Sequence, residues 1–127
     1  MMRKSIILLI ASVTAAVVLF TSCAQDGYKK ISAEVAKEMM DTGGVTVVDV
    51  RRQDEYDEGH IEGALLLPNE TIRQKAEGVI PDKDATYLLY CRTGRRSAEA
   101  AVTLMELGYS DVYDFGGIYD WPYEVVR

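Results

Sequence analysis

Apolar residues in this chain fall into short continuous runs separated by stretches with helical spacing. Val45-Thr46-Val47-Val48-Asp49-Val50, Ala64-Leu65-Leu66-Leu67, Thr86-Tyr87-Leu88-Leu89-Tyr90 and Val112-Tyr113-Asp114-Phe115 each predict a strand. Lys29-Lys30-Ile31 adds a short first one. Nearly continuous apolar runs suit strands covered on both faces, as in a parallel sheet. Ser32 opens a predicted helix in which Val35, Ala36, Met39 and Met40 share a face, with Gly43-Gly44 as the stop. Pro68 and Asn69 begin a second, running to Ala76. Ser97 begins the third, with Ala98, Ala101, Val102 and Met105 at helical spacing and Gly108 at its end. Strand–helix alternation at this pitch predicts an α/β domain with helices on both sides of a parallel sheet. Such folds bind ligands at the carboxyl ends of their strands, and Cys91 falls there, one residue past Tyr90.

The first residues follow a different pattern. Residues 1–22 contain no acid, and Arg3 and Lys4 precede an apolar run from Ile6 to Phe20. A basic start and a short apolar core are the layout of a secretory signal. The run spans 15 residues, short of the roughly 20 of a membrane-spanning helix. Leu19-Phe20-Thr21-Ser22-Cys23 resembles a bacterial lipoprotein box, with small Ser22 before the cysteine and Phe20 where an aliphatic residue is usual. The resemblance implies a signal peptide over 1–22, lipid on Cys23, and a protein exported to the cell envelope and held to a membrane. A cleaved form without lipid and an uncleaved anchor are the alternatives. Residues 23–27 then make the lipidated cysteine and a short tether, and 28–127 the domain.

Composition narrows the field further. At 127 residues, 48% of them hydrophobic, the chain supports one domain and is not of a collagen-like or disordered type. With 20 acidic and 14 basic residues it lacks the basic surface that nucleic acid requires. Losing residues 1–22 removes two basic residues and no acid, so the remainder is more acidic still. Two cysteines are too few for a disulfide scaffold. With Cys23 lipidated, Cys91 is an unpaired thiol in an oxidising compartment, which asks for an explanation. A Cys23–Cys91 disulfide, tying the tether to a strand end, is the plainer alternative.

The segment Tyr90-Cys91-Arg92-Thr93-Gly94-Arg95-Arg96-Ser97 joins a strand to the start of a helix. Helix N-termini present unpaired N–H groups and favour anions, and a thiolate is an anion. Beside three arginines, such a cysteine has its pKa lowered from about 8.5. Gly94 permits a positive φ, so that successive N–H groups turn inward as an anion nest. A lone cysteine is ordinarily a small core residue and clustered arginines a solvated turn. Their coincidence on an acidic chain is what argues for chemistry.

Cys91-Arg92-Thr93-Gly94-Arg95-Arg96-Ser97 resembles the active-site loop of single-domain rhodaneses, C-x-x-G-x-R-S. Val48-Asp49-Val50-Arg51, then Glu55-Tyr56 and Gly59-His60-Ile61-Glu62-Gly63-Ala64, are similar to that family's upstream signature. Gly116-Gly117-Ile118-Tyr119-Asp120-Trp121 is similar to its closing G-G-x-x-x-W. The three motifs come in family order across residues 28–127. The resemblance implies a three-layer α/β/α domain with a five-stranded parallel sheet in order 3-2-4-5-1. It also implies sulfurtransfer through a Cys91 persulfide, from a small anionic donor such as thiosulfate to a thiol or cyanide acceptor. That chemistry calls for no metal and no organic cofactor, and a monomer is expected.

Arg92, Thr93, Gly94, Arg95, Arg96 and Ser97 are the expected loop and substrate-binding residues. Arg92 and Arg95 either steer the donor or face solvent, and Arg96 either binds or braces the loop. Asp49 and Arg51 are expected as a buried ionic brace at the rim. His60 is the one histidine, but a preformed thiolate needs no base, and the Gly59-His60-Ile61 turn is read as packing under the site. Trp121 is read as core.

Three rivals remain. Cysteine phosphatases and arsenate reductases use C-x5-R, a loop that embraces a tetrahedral oxyanion with the arginine on two of its oxygens. Here Arg96 is the fifth residue after Cys91, one too early, which favours a single sulfur atom. A non-catalytic rhodanese-like binding module commonly lacks the cysteine, which is present. A redox protein would want a resolving cysteine, which the domain does not supply.

Overall fold

The structure, a computed structural model, describes residues 27–127. The leader over 1–22 and Cys23 lie outside the described residues.

Five strands form one parallel sheet: β1 (Lys29–Lys30), β2 (Val45–Asp49), β3 (Leu65–Leu66), β4 (Thr86–Cys91) and β5 (Asp111–Gly117). Their order, β1-β5-β4-β2-β3, is the expected 3-2-4-5-1 read from the other edge. Four α-helices cover the sheet: α1 (Ala33–Thr42), α2 (Gln53–Glu58), α3 (Ile72–Val79) and α4 (Arg95–Glu106). The period-2 alternation of β4 divides the core. Tyr87, Leu89 and Cys91 face α3 and α4 with Ile72, Ala76, Ala101 and Leu104. Leu88 and Tyr90 face α1 and the carboxyl-terminal strip with Ala36, Phe115 and Trp121. The α/β architecture is as the sequence predicts.

Several details differ from the expectation. Helix α2 is not predicted by the pattern, because Gln53-Asp54-Glu55-Tyr56-Asp57-Glu58 has no apolar period. Its acids instead suit the positive end of the helix dipole, and the Glu55 carboxylate accepts the Arg52 N–H at 3.0 Å. The segment after Pro68 starts as a single 3-10 turn, Asn69–Thr71, before α3 proper. Helix α4 begins at Arg95, two residues before the expected Ser97, with Gly94 as its N-cap. Its buried stripe is Ser97, Ala100, Ala101 and Leu104, while Val102 is 47% exposed. Alanines fit the close approach of α4 to β4 and β5, and the helix turns to present them. Val35 of α1 is likewise exposed, and Ala36 is the residue buried there.

Candidate active site

Cys91 is the last residue of β4, so the strand carries its thiol to the sheet's carboxyl edge and directs it beneath the following loop. It has no disulfide partner among the described residues and is 1% exposed. Gly94 takes a left-handed conformation, φ 107°, which a residue with a Cβ would adopt at a cost. That turn brings the Gly94 N–H to 3.0 Å from Cys91 Sγ. The Ser97 hydroxyl lies 3.5 Å from the sulfur. Burial pushes the thiol pKa up. The Ser97 hydroxyl and the N–H groups of Ser97, Gly94 and Thr93 outweigh it, and the pKa is lowered overall.

The partner strand makes room for the loop. The register between β4 and β5 slips, so that Leu89 pairs with Asp114 but Cys91 with Gly117. The extra residue is a bulge beside the thiol, with Gly116 at φ 92°. A Cβ on Gly117 would stand 2.1 Å from the Arg92 carbonyl oxygen, so only glycine lets the loop lie on β5.

The Arg96 guanidinium is bonded to Glu55. Its Nη1 and Nη2 bond Glu55 Oε2 and Oε1 at 2.8 and 2.9 Å, a bidentate pair reaching from α4 to α2. The Arg96 guanidinium holds the Glu55 carboxyl down, against the opposing effect of burial, to a pKa of about 2. The arginine is thus occupied in bracing the loop, and the arrangement offers an incoming atom N–H groups rather than a guanidinium fork.

The sequence profile of the family described as Rhodanese-like domain matches residues 32–123. The chain belongs to the rhodanese-like family. It is similar to the thiosulfate sulfurtransferase GlpE of Coxiella burnetii, 37% identical over 95 residues that cover 74% of this chain and 87% of the relative. The thiosulfate sulfurtransferase PspE of Escherichia coli is 36% identical over 73 residues, covering 58% of this chain and 70% of the relative. A solved Escherichia coli structure, described as a rhodanese with anions, superposes with a TM-score of 0.61 at 32% identity, covering 65% of this chain and 98% of the other. This rhodanese-like chain is an enzyme of the sulfurtransferase class.

The remaining expected residues of the rhodanese-like site separate into two groups. Thr93, Gly94 and Ser97 gather around the sulfur with Cys91. Arg92 and Arg95 sit outside it: Arg95 pairs with Glu99 on the exposed face of α4 at 2.9 Å. The Arg92 guanidinium is about half exposed, 3.4 Å from Glu55 at its Nε and 5.6 Å over the Tyr119 ring. It borders a cleft of about 400 Å³ lined also by Arg51, Tyr119 and Trp121.

Asp49 and Arg51 form a buried ion pair. Arg51 Nη2 donates to Asp49 Oδ2 at 2.7 Å and to the Gly59 carbonyl at 2.7 Å. The Tyr90 hydroxyl donates to Asp49 Oδ2 at 2.7 Å and accepts the Ile61 N–H at 3.0 Å. The pair thereby ties the Gly59-His60-Ile61 turn to the sheet. The His60 ring stacks on Tyr56 at 3.6 Å with Nδ1 2.8 Å from the Tyr56 carbonyl, and its backbone bridges to Val126. Trp121 is core, packed on Phe115.

Two residues next to the site escaped the sequence reading. Glu55 was visible only as a letter of the upstream signature, and its partner lies 41 residues away. Asp114 was visible as an acid within an apolar strand, a placement that asks for a buried partner. That partner is Ser97, whose hydroxyl donates to Asp114 Oδ1 at 2.7 Å.

Proposed function

We propose that the protein transfers sulfane sulfur from thiosulfate or a related anion to a thiol or cyanide, through a persulfide on Cys91. The observation that carries this reading is the Cys91 sulfur 3.0 Å from the Gly94 N–H, at the N-terminus of α4. A nucleophile so placed is ionised without a base.

The Cys91 thiolate attacks the outer sulfur of thiosulfate. The donor's S–S bond breaks, its electron pair leaves with sulfite, and a new S–S bond leaves Cys91 as a persulfide anion. The N–H groups around the sulfur stabilise charge on the outer atom as it arrives. Cyanide or a thiolate then attacks that atom, and the pair of the breaking bond returns to Cys91. No proton is consumed in the cycle with cyanide. Arg92, half exposed at the mouth, supports approach of the anionic donor.

The C-x4-R spacing and the engagement of Arg96 with Glu55 both speak for a sulfur atom over a tetrahedral oxyanion. The leader supports a companion proposal: export, lipid on Cys23, and a domain held at a membrane surface in the cell envelope.

Thiosulfate:cyanide sulfurtransfer by residues 24–127, which include every described element, tests the enzymatic reading. Turnover by the wild type and its loss in Cys91→Ser, with an unchanged circular dichroism spectrum, is the expected result. Equal turnover by the two overturns it.

A further inference from the structure

Beneath the active-site loop, β5 places an acid where sheet cores seldom hold one. Asp114 is 0% exposed, and among the described residues its Oδ2 has no hydrogen-bond partner. Its Oδ1 accepts the Ser97 hydroxyl at 2.7 Å and the Gly116 N–H at 2.9 Å. The same Ser97 oxygen lies 3.5 Å from Cys91 Sγ. One hydroxyl therefore stands between a buried thiol and a buried carboxyl.

We propose that Cys91 and Asp114 share one proton through the Ser97 hydroxyl, and that Asp114 holds it while the sulfur is charged. This rests on Cys91 being the nucleophile. In the thiol arrangement, S–H points to Ser97 Oγ and the Ser97 O–H to Asp114 Oδ1. In the shift, the Cys91 proton passes to Ser97 Oγ as the Ser97 proton passes to Asp114 Oδ1. The S–H electron pair stays on sulfur, and Ser97 is left as a hydroxyl now donating to the thiolate. The trio carries one negative charge before and after, nothing is oxidised, and no water takes part.

The surroundings decide where that charge is better held. At Asp114 it would be fully buried, with one oxygen unpartnered among the described residues, an expensive burial. At Cys91 it meets the Gly94 N–H, the Ser97 hydroxyl and the positive end of α4. The charged groups packed around Asp114 do not compensate it. Arg96 of α4 is committed to Glu55, and Lys29 and Lys30 of β1 are exposed, Lys29 lying over Tyr113. Among the described residues Asp114 makes no ion pair. Asp114 is thus a positioning residue that acts through Ser97.

Infrared spectroscopy of the reduced protein at neutral pH, with and without carbon-13 aspartate, reads the proton directly. The expected result is a protonated-acid carbonyl band that shifts with the label and is lost in both Asp114→Asn and Cys91→Ser. Asp114→Asn keeps the shape of the side chain, and Cys91→Ser offers the same readout should the first fail to fold. The pH profile of Cys91 alkylation gives a second readout. The wild type should show a second, higher inflection, where the shared proton finally leaves, and Asp114→Asn a single one. A wild type without the labelled band, or a band unchanged in either variant, overturns the proposal. Sulfur uptake by Cys91 in that same protein would leave the sulfurtransferase reading standing.

Discussion

The Glu55 carboxylate, 3% exposed, holds both Nη atoms of Arg96 from a helix 41 residues away in sequence. The active-site loop is therefore anchored at both ends: by strand β4 before Cys91 and by α2 after it. The anchor is electrostatic, so it should respond to acid. Glu55 has its pKa lowered to about 2 by Arg96, from an ordinary 4.5. Its contribution to stability is present above pH 4.5 and is lost as pH falls towards 2, a loss of about 3 kcal/mol. Urea unfolding of wild type and Glu55→Gln checks this. The variant should be less stable at neutral pH and flatter across that window.

The thiol should be acidic. The N–H groups and the Ser97 hydroxyl favour the charged form of Cys91 and outweigh burial, which opposes it. Iodoacetamide alkylation against pH should give a principal midpoint below the ordinary value of about 8.5. Ser97→Ala removes one stabilising donor and should move that midpoint upward.

Gly117 should tolerate no side chain. Its Cβ would meet the Arg92 carbonyl oxygen at 2.1 Å, and this backbone cannot yield without lifting the loop from β5. Losing the alignment of one N–H donor costs on the order of a hundredfold in rate. Gly117→Ala should therefore lose about that much sulfurtransfer. Gly78→Ala in α3, where a Cβ meets nothing within 4 Å, should keep full activity and be slightly more stable. Steady-state rates of the two variants make the comparison.

The sheet could be read from the sequence because β2 and β4 are continuous apolar runs, and because one thiol stands where such a strand ends. The cradle could be read as well, since all of its donors lie within seven consecutive residues, Cys91 to Ser97. What could not be read depends on distant partners. Helix α2 is an acidic run whose Glu55 finds its partner, Arg96, on α4, and the role of Asp114 appears only when β5 lies beside α4. Helix α4 starts before the predicted Ser97 because Arg95 and Arg96, which look like loop cations, are both taken into its first turn. Its buried face differs from the predicted one because six apolar residues from Ala98 to Met105 circle the helix, and packing against the sheet selects among them.

The companion proposal for the leader has its own check. In a bacterial host, the full chain should incorporate labelled fatty acid and fractionate with membranes, and Cys23→Ser should lose both. A protein that stays unlabelled would remove the lipid anchor and leave the domain's chemistry untouched.

The intact mass of the protein after incubation with thiosulfate tests the persulfide most directly. Residues 24–127, desalted and weighed under non-reducing conditions, should gain one sulfur atom located on Cys91. Cyanide should remove that atom as thiocyanate, and Cys91→Ser should gain nothing. No added sulfur on the wild type, or an equal gain in Cys91→Ser, would contradict the account.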